Sequence, residues 1–211
     1  MEVNGKKWQL IVCSICLLLG FYSHTSTISA EESTLKLVPV SKLSPLKGKD
    51  GYLLVKVDVA GVAPSLTVTR LKNSGAFYLD ESEKYKPLNQ PFTISLKGLT
   101  EGFYSLVLRD GLYQVTSVNV PFFNLPFELD TSDQTSWRFS IADGKTNYIG
   151  ELFIDSERSS KYVNVALFNR VATDKQVIET SFPELLTAAP LRNGSGVRDD
   201  FLKLLNQPDA Q

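Results

Sequence analysis

Between residues 137 and 155 the chain has little conformational choice. Trp137, Phe139 and Ile141 alternate with Arg138 and Ser140. That period of two marks a half-buried β-strand, because successive side chains point to opposite faces. Asp143-Gly144 follows, and both residues tolerate positive φ, so the chain is expected to reverse there as a hairpin. The returning arm, Asn147 to Ile154, is expected to carry Tyr148, Gly150, Leu152 and Ile154 on one face, with Ile149, Glu151 and Phe153 on the other. So much apolar surface needs sheet neighbours on both flanks.

The rest of the sequence supplies them. Thr34 to Val40 alternates and reads as an edge strand, since Pro39 cannot donate to a central ladder. Gly51 to Val59 sets Leu53, Val55, Val57 and Val59 on an apolar face opposite Tyr52, Leu54 and Lys56. A hairpin is expected from Pro64–Leu71 to Ala76–Leu79 around residues 72–75, then a polar loop from Asp80 to Asn89. Phe92, Ile94 and Leu96 share a face, and Asp110-Gly111 is a second two-residue hairpin signal leading into Leu112–Val120. Lys161 to Phe168 is a further strand, followed by a turn from Asn169 to Lys175. Turn signals recur roughly every 8–12 residues and no long helical period precedes residue 180. The fold class is therefore all-β, a Greek-key-type antiparallel β-sandwich with short C-terminal helices. Ser181-Phe-Pro-Glu184 has the spacing of a capping box opening a short helix that Pro190 ends. Asn193-Gly-Ser-Gly196 reads as a flexible joint, and Arg198–Asn206 as a last helix.

The first thirty residues stand apart. Lys6 and Lys7 precede an apolar run, Leu10 to Tyr22, and a small, mostly polar stretch ends at Ala30. This is the layout of a secretory signal peptide, and the apolar run falls short of the ~18–20 residues a spanning helix needs. The expected organisation is a leader over 1–30, a sandwich over 31–192, and a joint with a helical tail over 193–211. Neither Cys13 nor Cys16 follows a small residue, so lipidation is not expected. Both cysteines, the one histidine (His24) and the one methionine (Met1) all lie in the leader. Its removal excludes disulfides, thiol nucleophiles, Ser-His-Asp triads, and zinc or haem sites built on Cys, His or Met. Chemistry is then limited to carboxylates, hydroxyls, lysine and arginine. The mature chain holds 20 basic and 22 acidic residues, a net charge of −2, which is no footprint for nucleic acid. No stable membrane insertion is expected after cleavage, and no cofactor.

Leu99-x-x-Gly102-x-Tyr104-x-Leu106 is a recurrent lead-in to a strand of Greek-key sandwiches, with Gly102 serving the turn and Tyr104 reaching back to backbone as in a tyrosine corner. With Phe92-x-Ile94-x-Leu96 before it and Asp110-Gly111-Leu112-Tyr113 after, the run resembles the prealbumin-like, carboxypeptidase-regulatory-type β-sandwich domains. Gly144-Lys145-x-x-Tyr148-Ile149-Gly150 is similar to a phrase in uncharacterised secreted bacterial β-sandwich proteins. The sequence departs from the regulatory-domain pattern before Phe92, where Asp80–Asn89 is longer and more polar. The resemblance implies a noncatalytic accessory module and transfers no active site.

Candidate site residues are correspondingly few. Val120 to Leu129 is apolar but broken by Pro121 and Pro126. The simpler expectation is a crossover whose Phe122, Phe123, Leu125 and Phe127 cap one end of the sandwich; the sharper one is an exposed apolar edge for a partner. The residues named for ligand or partner binding are Phe122, Phe123, Phe127 and Tyr113. Clustering of Tyr52, Tyr78, Tyr85, Tyr113 and Tyr148 on one exposed face would point to glycan binding by ring stacking. Two acids facing across a groove would point instead to a hydrolase, but Glu151 and Asp155 read as solvated strand positions. Asp130-Thr-Ser-Asp133 reads as an Asx-type turn rather than a calcium loop. Asn193-Gly-Ser195 matches a glycosylation acceptor, meaningful only in a eukaryotic secretory pathway. The expected function is a noncatalytic secreted or periplasmic module binding a protein partner, envelope component or glycan; the alternative is a hydrolase using acidic residues alone.

Overall fold

The computed structural model describes residues 33–59, 63–72, 87–122, 125–157 and 162–196. In chain order these form β1 (Thr34–Lys36), β2 (Val38–Pro39), β3 (Asp50–Val59), β4 (Ser65–Arg70), β5 (Phe92–Ser95) and β6 (Gly102–Arg109). Then come β7 (Gly111–Phe122), β8 (Leu125–Asp130), β9 (Arg138–Ile141), β10 (Thr146–Glu157) and β11 (Tyr162–Phe168). Helices α1 (Val171–Ser181) and α2 (Pro183–Ala188) precede β12 (Leu191–Asn193). The expected leader, the second arm of the 72–75 hairpin and the helix over 198–206 lie outside the described residues.

One six-stranded sheet is ordered β1-β5-β4-β7-β8, with β9 also on β7; the other is ordered β11-β10-β3-β6-β2, with β12 also on β10. The chain is thus the all-β sandwich with short C-terminal helices expected from its turn spacing. Both sheets are mixed: β1–β5, β3–β10 and β10–β12 pair in parallel, and the other pairs are antiparallel. The apolar face of β3 (Leu53, Val55, Val57 and Val59) meets Val68, Ile94, Val115, Val118, Phe139 and Leu152 between the sheets. A second cluster forms on the outer side of the β3–β10 sheet, where Leu54 and Tyr148 are covered by Ile178 of α1 and by Phe182 and Leu186.

Both two-residue turns carry the chain from one sheet to the other instead of closing hairpins. β6 and β7, joined at Asp110, belong to different sheets, as do β9 and β10 on either side of Asp143-Gly144. The reason lies in burial: all four residues of β9 are buried, so it needs cover on both sides and cannot lie flat beside β10. Asn147, fully buried, ties this crossing together. Its Nδ2 donates to the carbonyls of Tyr52 (3.1 Å), Ala142 (3.2 Å) and Lys145 (3.1 Å), and its Oδ1 accepts from the Ala142 N–H at 2.9 Å.

The faces of β10 also differ from strict alternation. Between Tyr148 and Glu151 the register against β3 slips, with three steps on β10 against two on β3. Gly150 sits in this bulge at φ +119°. An extra residue reverses the phase of every side chain beyond it. Tyr148 therefore faces the helices, while Ile149, Leu152 and Ile154 all face the main core.

Asn193–Gly196 is no flexible joint. The Gly194 N–H donates to the Tyr148 carbonyl (2.8 Å), the Ser140 N–H to the Gly194 carbonyl (2.8 Å), and the Gly196 N–H to the Arg138 carbonyl (2.8 Å). The segment leaves β10 and continues along β9, stitching the two sheets at one corner. The glycines are needed for closeness: a Cβ on Gly196 would stand 2.4 Å from the Arg138 oxygen. The helical region likewise starts earlier than its capping-box spacing predicts. α1 already occupies Val171–Ser181, where a turn was expected, and Ser181 ends it rather than capping the next helix, which opens at Pro183. Asn169 Oδ1 accepts from the Val171 N–H at 3.1 Å and supports the start of α1.

Candidate functional site

The residues singled out from sequence do not form one surface. Tyr113 is buried, stacked on Phe139 with ring centroids 5.3 Å apart and edge-on to Phe92 at 6.3 Å. Its hydroxyl donates to the Arg109 carbonyl at 2.7 Å, and burial pushes its pKa up to about 12. Tyr113 is a core residue and not a surface aromatic. Phe127 lies on edge strand β8 and is 36% exposed. It pairs with Val120, seven residues along β7 from Tyr113, so the two stand roughly 24 Å apart. Phe122 ends β7 with its backbone paired to Leu125, and Phe123 lies outside the described residues.

Tyr52 and Tyr148 are also buried, so with Tyr113 they offer no stacking face; Tyr78 and Tyr85 lie outside the described residues. Tyr52 donates to the Ser44 carbonyl at 2.9 Å. Tyr148 donates to Asp174 Oδ2 of α1, and burial, helped by that carboxylate, raises its pKa well above the ordinary phenol range. Tyr104 Oη accepts from the Thr100 N–H at 3.2 Å, the backward reach expected of the Leu-x-x-Gly-x-Tyr run.

The carboxylates are engaged locally. Glu151 binds Lys56 at 2.8 Å and Arg170 at 3.2 Å, and its hydrogen bond holds the Lys56 ammonium above the usual range against the opposing effect of burial. Asp155 Oδ2 faces the Tyr162 hydroxyl at 3.4 Å. Asp130 closes an Asx turn, accepting from the Ser132 N–H (2.9 Å) and Oγ (2.7 Å), bonds that lower its pKa. Among the described residues no three His, Cys, Asp or Glu side chains gather as a metal site. A cavity between the sheets beside Trp137 and Leu152 measures about 20 Å³. That is room for about one water molecule, not a ligand chamber.

What distinguishes the surface is one sheet edge. An outer strand presents unpaired N–H and C=O groups, and natural sheets blunt such edges with brevity, proline or charge. β1 is three residues long, and β2 is two residues with Pro39. β8 carries Pro126, Glu128 and Asp130. β11 carries none of these guards: Tyr-Val-Asn-Val-Ala-Leu-Phe, seven residues without a proline or a charge. Its outer face exposes Tyr162 (47%) and Phe168 (43%). Val163, Val165 and Leu167 face the core but stay half-buried, because no described strand lies beyond them. Sequence reasoning identified the strand but not its bare edge; the signal was the lack of any charge over seven residues. No protein-family model matches this sequence, and the curated proteins hold no significant relative of it.

Proposed function

We propose that this chain is a noncatalytic binding module, exported by its leader to the periplasm or beyond, that takes an extended segment of a protein partner onto the edge of β11. The carrying observation is the unguarded edge itself. Strand addition gains affinity from main-chain hydrogen bonds and specificity from pockets for alternate side chains. On β11 the half-buried row Val163, Val165 and Leu167 would be closed over by an incoming strand, and Tyr162 and Phe168 would flank its outer side. The resemblance to prealbumin-like, carboxypeptidase-regulatory-type domains supports an accessory role, and the local engagement of Glu151 supports binding over acid-pair hydrolysis.

The test is comparative capture. Tagged protein and a Tyr162→Lys, Asn164→Lys variant, both changes at exposed positions and each expected to alter stability by no more than ~0.5 kcal/mol, are used to draw partners from an envelope extract. The proposal requires a protein that wild type retains and the variant loses, with β11 amides slowed in hydrogen exchange in the complex. Equal retention by both, or protection elsewhere, would defeat it.

A further inference from the structure

Near its first described residues the chain changes sheets. β1 pairs with β5, Leu37 crosses in a buried position, and β2 joins β6 only through Val38–Ser105 and Pro39–Tyr104. No described strand therefore covers Leu106 and Val107 on that side of β6. The loop from Leu43 to Asp50 walls the gap. It is held by the Tyr52 hydroxyl on the Ser44 carbonyl (2.9 Å) and the Asp110 N–H on the Lys49 carbonyl (2.8 Å). An open groove of about 350 Å³ remains, within the ~300–1,000 Å³ typical of small-ligand sites.

The groove is two-sided in chemistry. Leu43, Leu106 and Val107 give its lining an aliphatic part along the open side of β6, while Lys36, Lys42 and Lys47 stand around it, with Asp50 as the one carboxylate among the described lining residues. Among the described residues none of these three lysines takes part in an ion pair. The concentration of charge is local: residues 33–50 hold four lysines and one acid in a chain of net charge −1. Among the described residues no aromatic ring lines the groove, so they offer no platform on which a sugar or base would stack. A small hydrated anion would use the lysines and leave the aliphatic lining wet.

We propose that this groove binds an amphipathic anion, a carboxylate or phosphate carried on an aliphatic chain. The head group sits among Lys36, Lys42 and Lys47, and the chain lies on Leu43, Leu106 and Val107. The site is separate from the β11 edge and stands or falls independently of it.

The experiment is an NMR titration of ¹⁵N-labelled protein with decanoate and with decyl phosphate, each below its micelle-forming concentration. Decyl maltoside and inorganic phosphate serve as the neutral and the chain-free comparison. Saturable shifts of the Lys36, Lys47, Leu106 and Val107 amides with either decyl anion support the proposal, the tighter of the two naming the head group. The variant K36Q/K42Q/K47Q, altered only at exposed positions, should weaken that binding at least tenfold with an unchanged melting temperature. The proposal is overturned if neither decyl anion binds, if decyl maltoside or inorganic phosphate binds as tightly, if the triple variant binds normally, or if the shifts map to another surface.

Discussion

Gly150→Ala tests the bulge that sets the phase of β10. A Cβ at this position would stand 2.1 Å from the Phe168 carbonyl oxygen and 3.0 Å from its carbon, and both are backbone atoms that no rotamer change can move aside. The backbone is also at φ +119°, a conformation costing an L-residue roughly 1–3 kcal/mol. Relief requires β11 to withdraw by about 1 Å at its Phe168 end, against an ordinary contact near 3.4 Å. That loosens the Glu151–Phe168 pair where β11 meets β10, and each lost backbone hydrogen bond costs ~1 kcal/mol. The sum is about 3–5 kcal/mol, a large part of a typical domain's ~5–15 kcal/mol. With a urea slope of roughly 2 kcal/mol/M, the midpoint should fall by about 2 M. Circular dichroism and the fluorescence of buried Trp137 report it. Gly144→Ala is the comparison: φ is also positive, at +61°, but nothing lies within 4 Å of the added methyl. It should cost only the backbone preference, about 1–2 kcal/mol. Equal midpoint shifts for the two variants would refute the close approach of Phe168 and the β10–β11 register with it.

Asn147→Ala should destabilise by about 2–4 kcal/mol in the same assay, because it leaves the Ala142 N–H, the buried Tyr52 carbonyl and the part-buried Ala142 carbonyl without their partner; a loss under about 1 kcal/mol would deny it the tying role. Gln114→Leu should cost about 2–3 kcal/mol, since the buried amide serves the Thr131 and Val115 carbonyls and accepts from Arg138 Nε at 2.9 Å; stability equal to wild type in a thermal melt would count against that network. Stability should fall as pH rises from about 10 to about 12. In that window unfolded tyrosines ionise while Tyr113 and Tyr148 keep their protons, so the native state binds more protons; Tyr113 alone contributes ~1.4 kcal/mol per pH unit. Tyr113→Phe should make this slope shallower by the Tyr113 share, leaving that of Tyr148, and an unchanged melting-temperature profile would show that the Tyr113 ring is not buried as described.

The legible part of this fold is what period two and burial determine. The apolar face of β3 was readable because Leu53, Val55, Val57 and Val59 alternate without interruption. The turns were readable as turns, but not as sheet crossings. Asp-Gly reports that the backbone can reverse, whereas the choice between a hairpin and a crossing depends on how both faces of the following strand are covered. For β9 that cover comes partly from Ser195 and Gly196, more than fifty residues later. The bulge at Gly150 was hidden for a related reason, since its glycine is required by the approach of Phe168 and not by any local turn. α1 escaped notice because only Ile178 of its residues is buried, so no apolar stripe marks it. Tyr113 looked like a candidate surface aromatic because strand aromatics occur on both faces, and only the stacking on Phe139 decides which.

These same long-range contacts connect the stability of the sandwich to the edge strand β11. The Phe168 carbonyl can lie against Gly150 only because that residue lacks a side chain, and Phe168 closes the end of β11 that an incoming strand would reach. On the outer face, Arg170 stands over the Phe168 ring at 5.4 Å and also binds Glu151, which binds Lys56 on β3. The end of the edge is thus fixed from two sides, by backbone packing at the bulge and by a charge chain that crosses three adjacent segments. A strand anchored at that end has less conformational freedom to lose when it pairs, and preorganisation of that kind helps a short interface to bind. Proline and charge were placed on β2 and β8. Their absence from β11, the longest outer strand described, is hard to reconcile with an edge meant to stay unpaired, because selection against edge-to-edge aggregation acts most strongly on long, uncharged strands. An edge that is apolar, and uncovered among the described residues, is the arrangement that the proposed strand addition calls for.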